Sequence, residues 1–158
     1  MSIPADSPVL AFDVGARRIG VAVGSGFGLS ARPLAVIDVH DGVIDWTRID
    51  RLQREWRPAG FVVGDPMTLD GGDQPIRERA RAFAHALRER FKLPVAMMDE
   101  RNSSQEAARR FAAGRADGQR RRRDAELLDA MAAAIILDRW MAMPQDAVMI
   151  DEPTSDPP

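Results

Sequence analysis

A short apolar run that ends in an acidic residue constrains the fold of this chain more than any other feature. Val9-Leu10-Ala11-Phe12 precedes Asp13, and after Gly15 the residues over 19–23 alternate between larger apolar and smaller side chains. This pattern predicts two adjacent strands joined by a tight turn. A carboxylate at the end of a buried strand is costly unless it binds something, so Asp13 either binds a ligand or hydrogen-bonds its own turn.

The remaining pattern predicts an α/β fold. Further strands are expected over 33–37, 61–63 and 94–98, and helices over 43–57, 75–91, 102–112 and about 124–141. Three hairpin-linked strands followed by strand–helix units predict a mixed five-stranded sheet, with three antiparallel strands and then parallel strands, flanked by helices. Functional sites in such sheets collect at the carboxyl ends of parallel strands. Asp13, Asp65 and the pair Asp99-Glu100 are expected at such ends.

Length and composition predict one domain. The 158 residues divide into a short flexible N-terminus over 1–7, a single domain over 8–143 and a disordered acidic, proline-rich tail over 144–158. No apolar run is long enough to cross a bilayer, so no membrane partner is expected. The first residues lack the basic and apolar regions of a secretory signal, and a cytoplasmic location is therefore expected.

Few types of metal-binding side chain are available in this sequence. The chain has no Cys and two isolated His residues, His40 and His85. This composition argues against disulfides, zinc–thiolate sites and thiol nucleophiles. Any bound metal is expected to have oxygen ligands, which favours Mg²⁺ or Mn²⁺.

A third carboxylate lies within the last predicted helix. Asp129 shares its helix face with Ala125, Ala132 and Ala133, and these small residues predict close packing against the sheet. Such an Asp needs a partner, either an Arg or a metal ion. Asp99-Glu100 either contributes to a ligand site or stabilises the positive N-terminus of the following helix. If the three sites converge, a divalent cation would offset their repulsion, and two such cations could support phosphodiester hydrolysis.

Arginine is concentrated near these carboxylates. The formal net charge of -2 argues against a protein that coats nucleic acid through bulk positive charge. Local placement still favours phosphate contacts, since Arg suits bidentate contacts to phosphate oxygens. The alternative for the tetrad at 120–123 is a solvated charge run. The candidate nucleic-acid-binding residues are Arg17, Arg18, Arg101, Arg120, Arg121, Arg122 and Arg123.

Five short motifs carry a family resemblance that spans Leu10 to Met141. They are Phe-Asp-Val-Gly-Ala-Arg-Arg-Ile-Gly-Val-Ala-Val at 12–23, Val-Val-Gly-Asp-Pro at 62–66, Asp-Gly at 70–71, Asp-Glu-Arg at 99–101 and Leu-Asp-Ala-Met-Ala-Ala at 128–133. The chain resembles the YqgF/RuvX family of RNase H-like proteins, described as pre-ribosomal RNA nucleases and formerly as Holliday junction resolvases. The resemblance implies an RNase H-like sheet, catalytic and metal-binding roles for Asp13, Glu100 and Asp129, and cleavage of precursor small-subunit ribosomal RNA near its 5′ end.

Two positions depart from the family pattern. Asp65 stands where the family usually has an apolar residue, and it is either an additional metal or water ligand or the partner of an Arg. Asn102-Ser103-Ser104 replaces Leu-Thr-Thr or a similar sequence, and its hydroxyls retain the ability to cap a helix.

Three functional hypotheses follow. The first is a metal-dependent endonuclease acting on structured nucleic acid, either precursor ribosomal RNA or branched DNA as in a Holliday junction resolvase. The second is a factor that binds such substrates without cutting them. The third, an actin-like ATPase, is disfavoured because 158 residues cannot supply its duplicated domain. The sequence does not decide between RNA and DNA as the substrate, and it does not give the oligomeric state.

Overall fold

The computed structural model describes residues 2–4, 6–25, 29–66, 75–100 and 122–150. The predicted helix over 102–112 and most of the basic loop after it lie outside the described residues. The described helices are α1 (Trp46–Trp56), α2 (Pro75–Phe91) and α3 (Arg122–Ala142), followed by a 3-10 helix over Pro144–Asp146. The strands are β1 (Val9–Val14), β2 (Arg18–Ser25), β3 (Leu29–His40), β4 (Val43–Ile44), β5 (Gly60–Asp65), β6 (Val95–Asp99) and β7 (Val148–Met149).

These strands form one mixed sheet in the order β4-β3-β2-β1-β5-β6-β7. β1, β2 and β3 pair antiparallel, whereas β1, β5 and β6 are parallel, so the predicted mixed architecture is confirmed. The predicted number of five strands is wrong, because the described residues form seven. The two additional strands, β4 and β7, are edge strands of two residues each, too short to show a periodic pattern.

Helices cover both faces of the sheet. On one face, α1 and α2 pack over alternate residues of β1 such as Leu10 and Phe12. On the other face, α3 packs over Val9 and Ala11, together with neighbouring β5 and β6 residues. Because successive strand residues point to opposite faces, each strand position is assigned to the α1/α2 face or to the α3 face.

The first two helices lie close to their predicted positions. The side chain of Asp45 caps α1 by accepting a hydrogen bond from the Arg48 N–H, so the helix begins at Trp46 rather than at Val43. α1 ends at Trp56, before Arg57 in a left-handed conformation and Pro58. The observed limits of α2 coincide with the prediction over 75–91.

Contacts with the sheet and its core extend beyond residues 8–143 at both ends. Residues 144–150 are not a disordered tail, because β7 pairs antiparallel with β6 and the Ile150 N–H donates a 2.8 Å hydrogen bond to the Val95 carbonyl. Residues 151–158 lie outside the described residues. At the N-terminus, Ile3 packs against the α3-side core beside Gly60, although 1–7 was expected to be flexible. None of the helices described is both long and apolar enough to span a bilayer.

Candidate active site

Asp13 lies near the carboxyl end of β1, on the face that α3 covers. Its side chain has the same orientation along the strand as Val9 and Ala11, which pack against α3. β1 is central in the sheet, with antiparallel β2 on one side and parallel β5 on the other. Asp13 is therefore at the strand end where the sequence predicted a functional site.

Glu100 reaches the same place from β6. It follows the last residue of that strand, lies on the α3 face like Met98, and is 8% exposed. Gly64 of the intervening strand β5 makes the space, since an added Cβ there would lie 2.9 Å from Glu100 Cδ and 2.6 Å from Ile136 Cδ1. A residue with a side chain at 64 would displace the Glu100 carboxyl group.

Asp129 lies on α3, which covers this face of the sheet. Gly20 of β2 is the cross-strand partner of Asp13, and an added Cβ on Gly20 would clash with the Asp129 carbonyl oxygen. The helix backbone therefore rests directly on the strand at this point. This contact confirms the close approach predicted from the small residues on the Asp129 face.

The electrostatics of Asp13 show that the three carboxyl groups are near one another. Burial raises the pKa of Asp13, a hydrogen bond with the Glu100 side chain lowers it, and the charge of Asp129 raises it. The side chains of Asp13 and Glu100 are therefore close together, with Asp129 within electrostatic reach.

Asp129 itself is paired with an arginine. Arg18 Nε donates a 2.6 Å hydrogen bond to Asp129 Oδ2, and the two side chains are 35% and 31% exposed. This hydrogen bond is the largest cause that raises the pKa of Arg18. The expected role of Arg18 as a phosphate ligand stays a prediction, and in this structure its guanidinium Nε contacts a carboxylate.

The donor set suits Mg²⁺ or Mn²⁺ only in part. Asp13 and Glu100 fit, since their side chains are adjacent and both offer carboxyl oxygens. Asp129 can become a third ligand through Oδ2 only if Arg18 releases that oxygen. Consistent with this pairing, no group of three or more His, Cys, Asp or Glu side chains within the described ranges is arranged to hold a metal.

Asp65 does not belong to this cluster. It lies one position beyond Gly64 and therefore on the opposite face of the sheet. Arg77 of α2 contacts both of its carboxylate oxygens, at 2.9 Å and 3.3 Å, and both side chains are 15% exposed. The possible metal role of Asp65 is corrected, and the alternative, pairing with an Arg, is observed.

The predicted phosphate-binding arginines have different outcomes. Arg17 lines an open polar cleft of about 810 Å³ beside Arg18, together with Arg79. Neither Arg17 nor Arg79 makes an ion pair with any residue that the structure describes. Arg101, Arg120 and Arg121 lie outside the described residues, and of Arg122 and Arg123 only the backbone, at the start of α3, is described.

Two glycines that shape the site, Gly20 and Gly64, were not predicted as site residues. Gly20 interrupts the apolar residues of β2 and Gly64 interrupts those of β5, the two strands adjacent to β1. Glycine inside a strand marks a close approach of backbone or ligand, and this signal was available in the sequence. Arg79 gave no comparable signal, because it is one of several arginines along α2.

Comparison with known proteins supplies the family. A family model described as "RuvX: Holliday junction resolvase" matches residues 7–143. The chain belongs to the RuvX family. The RuvX-family signature thus covers all three carboxylates and the strands that position them.

Two curated relatives illustrate the similarity of this RuvX-family chain to bacterial proteins. A protein of Xanthomonas campestris pv. campestris (strain B100) named "Putative pre-16S rRNA nuclease" is 60% identical over 149 residues, which cover 94% of this chain and 96% of the relative. A Xylella fastidiosa (strain M12) protein with the same name is 61% identical over 145 residues, covering 92% and 94% of the two chains.

Solved structures support the RNase H-like fold of this RuvX-family protein. Thermus thermophilus RuvC matches with a TM-score of 0.53 at 18% identity, over 90% of this chain and 99% of RuvC. RuvC from the same organism in complex with a Holliday junction substrate matches with a TM-score of 0.52 at 17% identity, over 91% of this chain and 99% of that chain. At this level of identity the likeness establishes a common fold.

Proposed function

We propose that this protein is a divalent-cation-dependent endonuclease that cleaves precursor small-subunit ribosomal RNA near its 5′ end. The general class follows from the family: the chain is a nuclease, a hydrolase of phosphodiester bonds. Metal dependence, the RNA substrate, the position of the cut and a cytoplasmic location are the parts that we propose.

One observation carries the proposal. The side chains of Asp13 and Glu100 meet at the carboxyl ends of parallel strands, and the charge of Asp129 acts on Asp13. Such a concentration of acidic side chains has no structural benefit of its own, because like charges repel. It fits a site in which Asp13, Glu100 and Asp129 hold Mg²⁺ or Mn²⁺.

The side chains have defined tasks in this scheme. Burial raises the pKa of Asp13, and any proton on that carboxyl group must leave before it can act as a ligand, since metal ligands are deprotonated. A bound divalent cation would supply Lewis-acid activation of water and stabilise charge on the phosphate. The buried position of Glu100 limits water around its carboxyl group, which strengthens electrostatic interactions there.

Binding of nucleic acid is assigned to the arginines around this site. Arg17 and Arg79 are exposed in the cleft beside Arg18 and are free to contact phosphate oxygens. Asp38 and Asp41 line the same cleft, so the cleft contains both positive and negative side chains. We extend the phosphate-binding role to Arg101 and Arg120–Arg123, on the basis of their sequence positions.

The name of the relatives supports ribosomal RNA as the substrate. The family description instead supports Holliday junction DNA, which makes junction cleavage the second candidate. A factor that binds without cutting is the third, and the Arg18–Asp129 ion pair favours it, because that pair occupies one expected metal ligand.

A cleavage assay separates these candidates. Purified protein is incubated with a 5′-extended precursor of 16S ribosomal RNA, with the mature RNA and with a four-way DNA junction. Each substrate is tested with Mg²⁺, with Mn²⁺ and with EDTA. We expect a defined cut in the precursor RNA with either cation and none with EDTA.

The matched variants are Asp13→Asn and Asp65→Asn. Both remove one carboxylate near the end of a central strand, but only Asp13 lies on the α3 face beside Glu100. We expect Asp13→Asn to abolish cleavage and Asp65→Asn to retain it. Cleavage of the junction alone would favour the resolvase, and binding without any cation-dependent cut would overturn the proposed nuclease mechanism.

A further inference from the structure

Arg18 occupies a position that conflicts with metal binding by Asp129. Arg18 is the first residue of β2, on the face that α3 covers, and its Nε lies 2.6 Å from Asp129 Oδ2. A guanidinium at this distance competes with a cation for the same oxygen and also repels the cation. Arg18 must therefore move if Asp129 is to bind a cation through Oδ2.

The surroundings of Arg18 permit such a movement. About a third of each side chain in the pair is exposed, at 35% for Arg18 and 31% for Asp129. Ion pairs with this degree of exposure contribute little net stability, and their side chains exchange partners at low cost. The open cleft beside Arg18 leaves space for its guanidinium.

Two further acidic residues face the same guanidinium. Glu126 lies one turn before Asp129 on α3, and Asp38 is the cross-strand partner of Arg18 on β3. Both attract Arg18, as does Asp129, and both line the cleft. Glu126 shares the helix face of Asp129 at a spacing of three residues, so it offers a second carboxylate on the same side of the helix.

We propose that Arg18 is a partner-switching residue, which neutralises Asp129 in the metal-free protein and transfers to Glu126 when a divalent cation binds at Asp13, Glu100 and Asp129. This inference rests on the proposed function. Arg18 then acts as a positioning residue that controls access to the third ligand. Glu126 contributes to metal affinity without contacting the metal, because it receives the displaced guanidinium.

Mn²⁺ binding to the substrate-free protein tests the switch. Affinity is measured by titration calorimetry and by water-proton relaxation for the wild type, Arg18→Gln, Glu126→Gln and the double variant. We expect Arg18→Gln to raise Mn²⁺ affinity by about two- to fivefold, since it removes the competitor. Glu126→Gln should lower affinity in the wild-type background and have no effect once Arg18 is replaced.

That last comparison separates switching from simple charge effects. A uniform electrostatic influence of Glu126 would lower Mn²⁺ affinity equally in both backgrounds, and additive effects would overturn the switch. Arg17→Gln is the matched control, because it removes one positive charge from the same cleft without touching Asp129. An equal gain in affinity from Arg17→Gln would also overturn the proposal.

The failure of the switch is distinguishable from the failure of the proposed function. If wild-type protein binds Mn²⁺ and Asp13→Asn abolishes that binding, while Arg18→Gln leaves affinity unchanged, only the switch is wrong. If neither the wild type nor any variant binds Mn²⁺, the metal-dependent function and the switch both fail. Circular dichroism of each variant verifies that it is folded.

Discussion

Asp13 of β1 lies directly opposite Gly20 of β2 in the antiparallel register. The backbone of α3 at Asp129 rests on Gly20. The residue paired with Asp13 is therefore also the one that positions Asp129. Gly64 makes a corresponding space for Glu100 on the other side of β1. A carboxylate flanked by two glycines on neighbouring strands is thus the structural basis of the site.

Gly20→Ala should damage both the fold and the site. The added Cβ would clash with the Asp129 carbonyl oxygen, which belongs to helix backbone and cannot rotate away. α3 would have to shift from β2, and we expect a loss of stability of about 1–3 kcal/mol or more. Urea denaturation measures this loss, and a cleavage assay should show reduced activity at temperatures where the variant remains folded.

Gly42→Ala is the matched control for Gly20→Ala. Gly42 has a φ of +78° and no atom near its virtual Cβ, so only backbone strain opposes the change. We expect a smaller destabilisation and unchanged cleavage. Equal losses of activity in the two variants would contradict the packing role given to Gly20.

Gly64→Ala should reduce activity more than stability. The atoms in its way are Ile136 Cδ1 and the carboxyl group of Glu100, both at the ends of flexible side chains. The fold can accommodate the added methyl group by moving them, at a cost of about 1 kcal/mol, but Glu100 then leaves Asp13. Comparison of urea midpoints with cleavage rates tests this; a variant with full activity would show that the Glu100 position is not critical.

Asp13→Asn should stabilise the metal-free protein at neutral pH. Burial and the charge of Asp129 raise the pKa of Asp13 in the fold, so ionisation of this carboxyl costs stability above its unfolded pKa. Below that pKa, which is about 3.9, the carboxyl is protonated in both states and the cost is absent. The increase in Tm caused by the substitution, measured in EDTA, should therefore shrink as the pH falls towards about 4.

The sign of this effect is diagnostic. A lower Tm for Asp13→Asn than for wild type at neutral pH in EDTA would mean that the carboxylate is stabilised in the fold. That outcome would contradict the arrangement of acidic groups around Asp13. Addition of Mg²⁺ should raise the Tm of the wild type and leave that of Asp13→Asn nearly unchanged, because a ligand stabilises only the protein that binds it.

Asp65→Asn should weaken the fold and spare catalysis. The substitution breaks a two-point contact with Arg77 at 15% exposure on the α2 side of the sheet. We expect a loss of about 1–3 kcal/mol in the free energy of unfolding. Asp50→Asn, which removes the more exposed pair with Arg90, is the control and should cost less. Loss of cation-dependent cleavage in Asp65→Asn would return Asp65 to the active site.

The central sheet was predictable because its signals are local. Asp13 ends an apolar run, α2 begins at a proline, and the alternation over β2 gives the pairing partner of β1. The two edge strands were not predictable, since two residues cannot establish a period and their pairing depends on distant chain segments. The segment around Val148 appeared disordered by composition but is paired with β6.

The partners of the acidic residues were the part that sequence could not decide. Both Asp65 and Asp129 had an Arg as one alternative, and each has one in the structure. Asp65 lies on the face opposite Asp13, which follows from strand alternation once the register is known. The pairing of Arg18 with Asp129 joins residues 111 positions apart, and no local pattern encodes it.

Anomalous diffraction from crystals of the protein soaked in Mn²⁺ tests the central claim most directly. We expect an anomalous peak coordinated by carboxylate oxygens of Asp13 and Glu100, with Asp129 directed at the same ion and Arg18 turned away from it. A peak elsewhere, or none at these side chains at saturating Mn²⁺, would contradict the assignment of Asp13, Glu100 and Asp129 as a cation-dependent hydrolytic site.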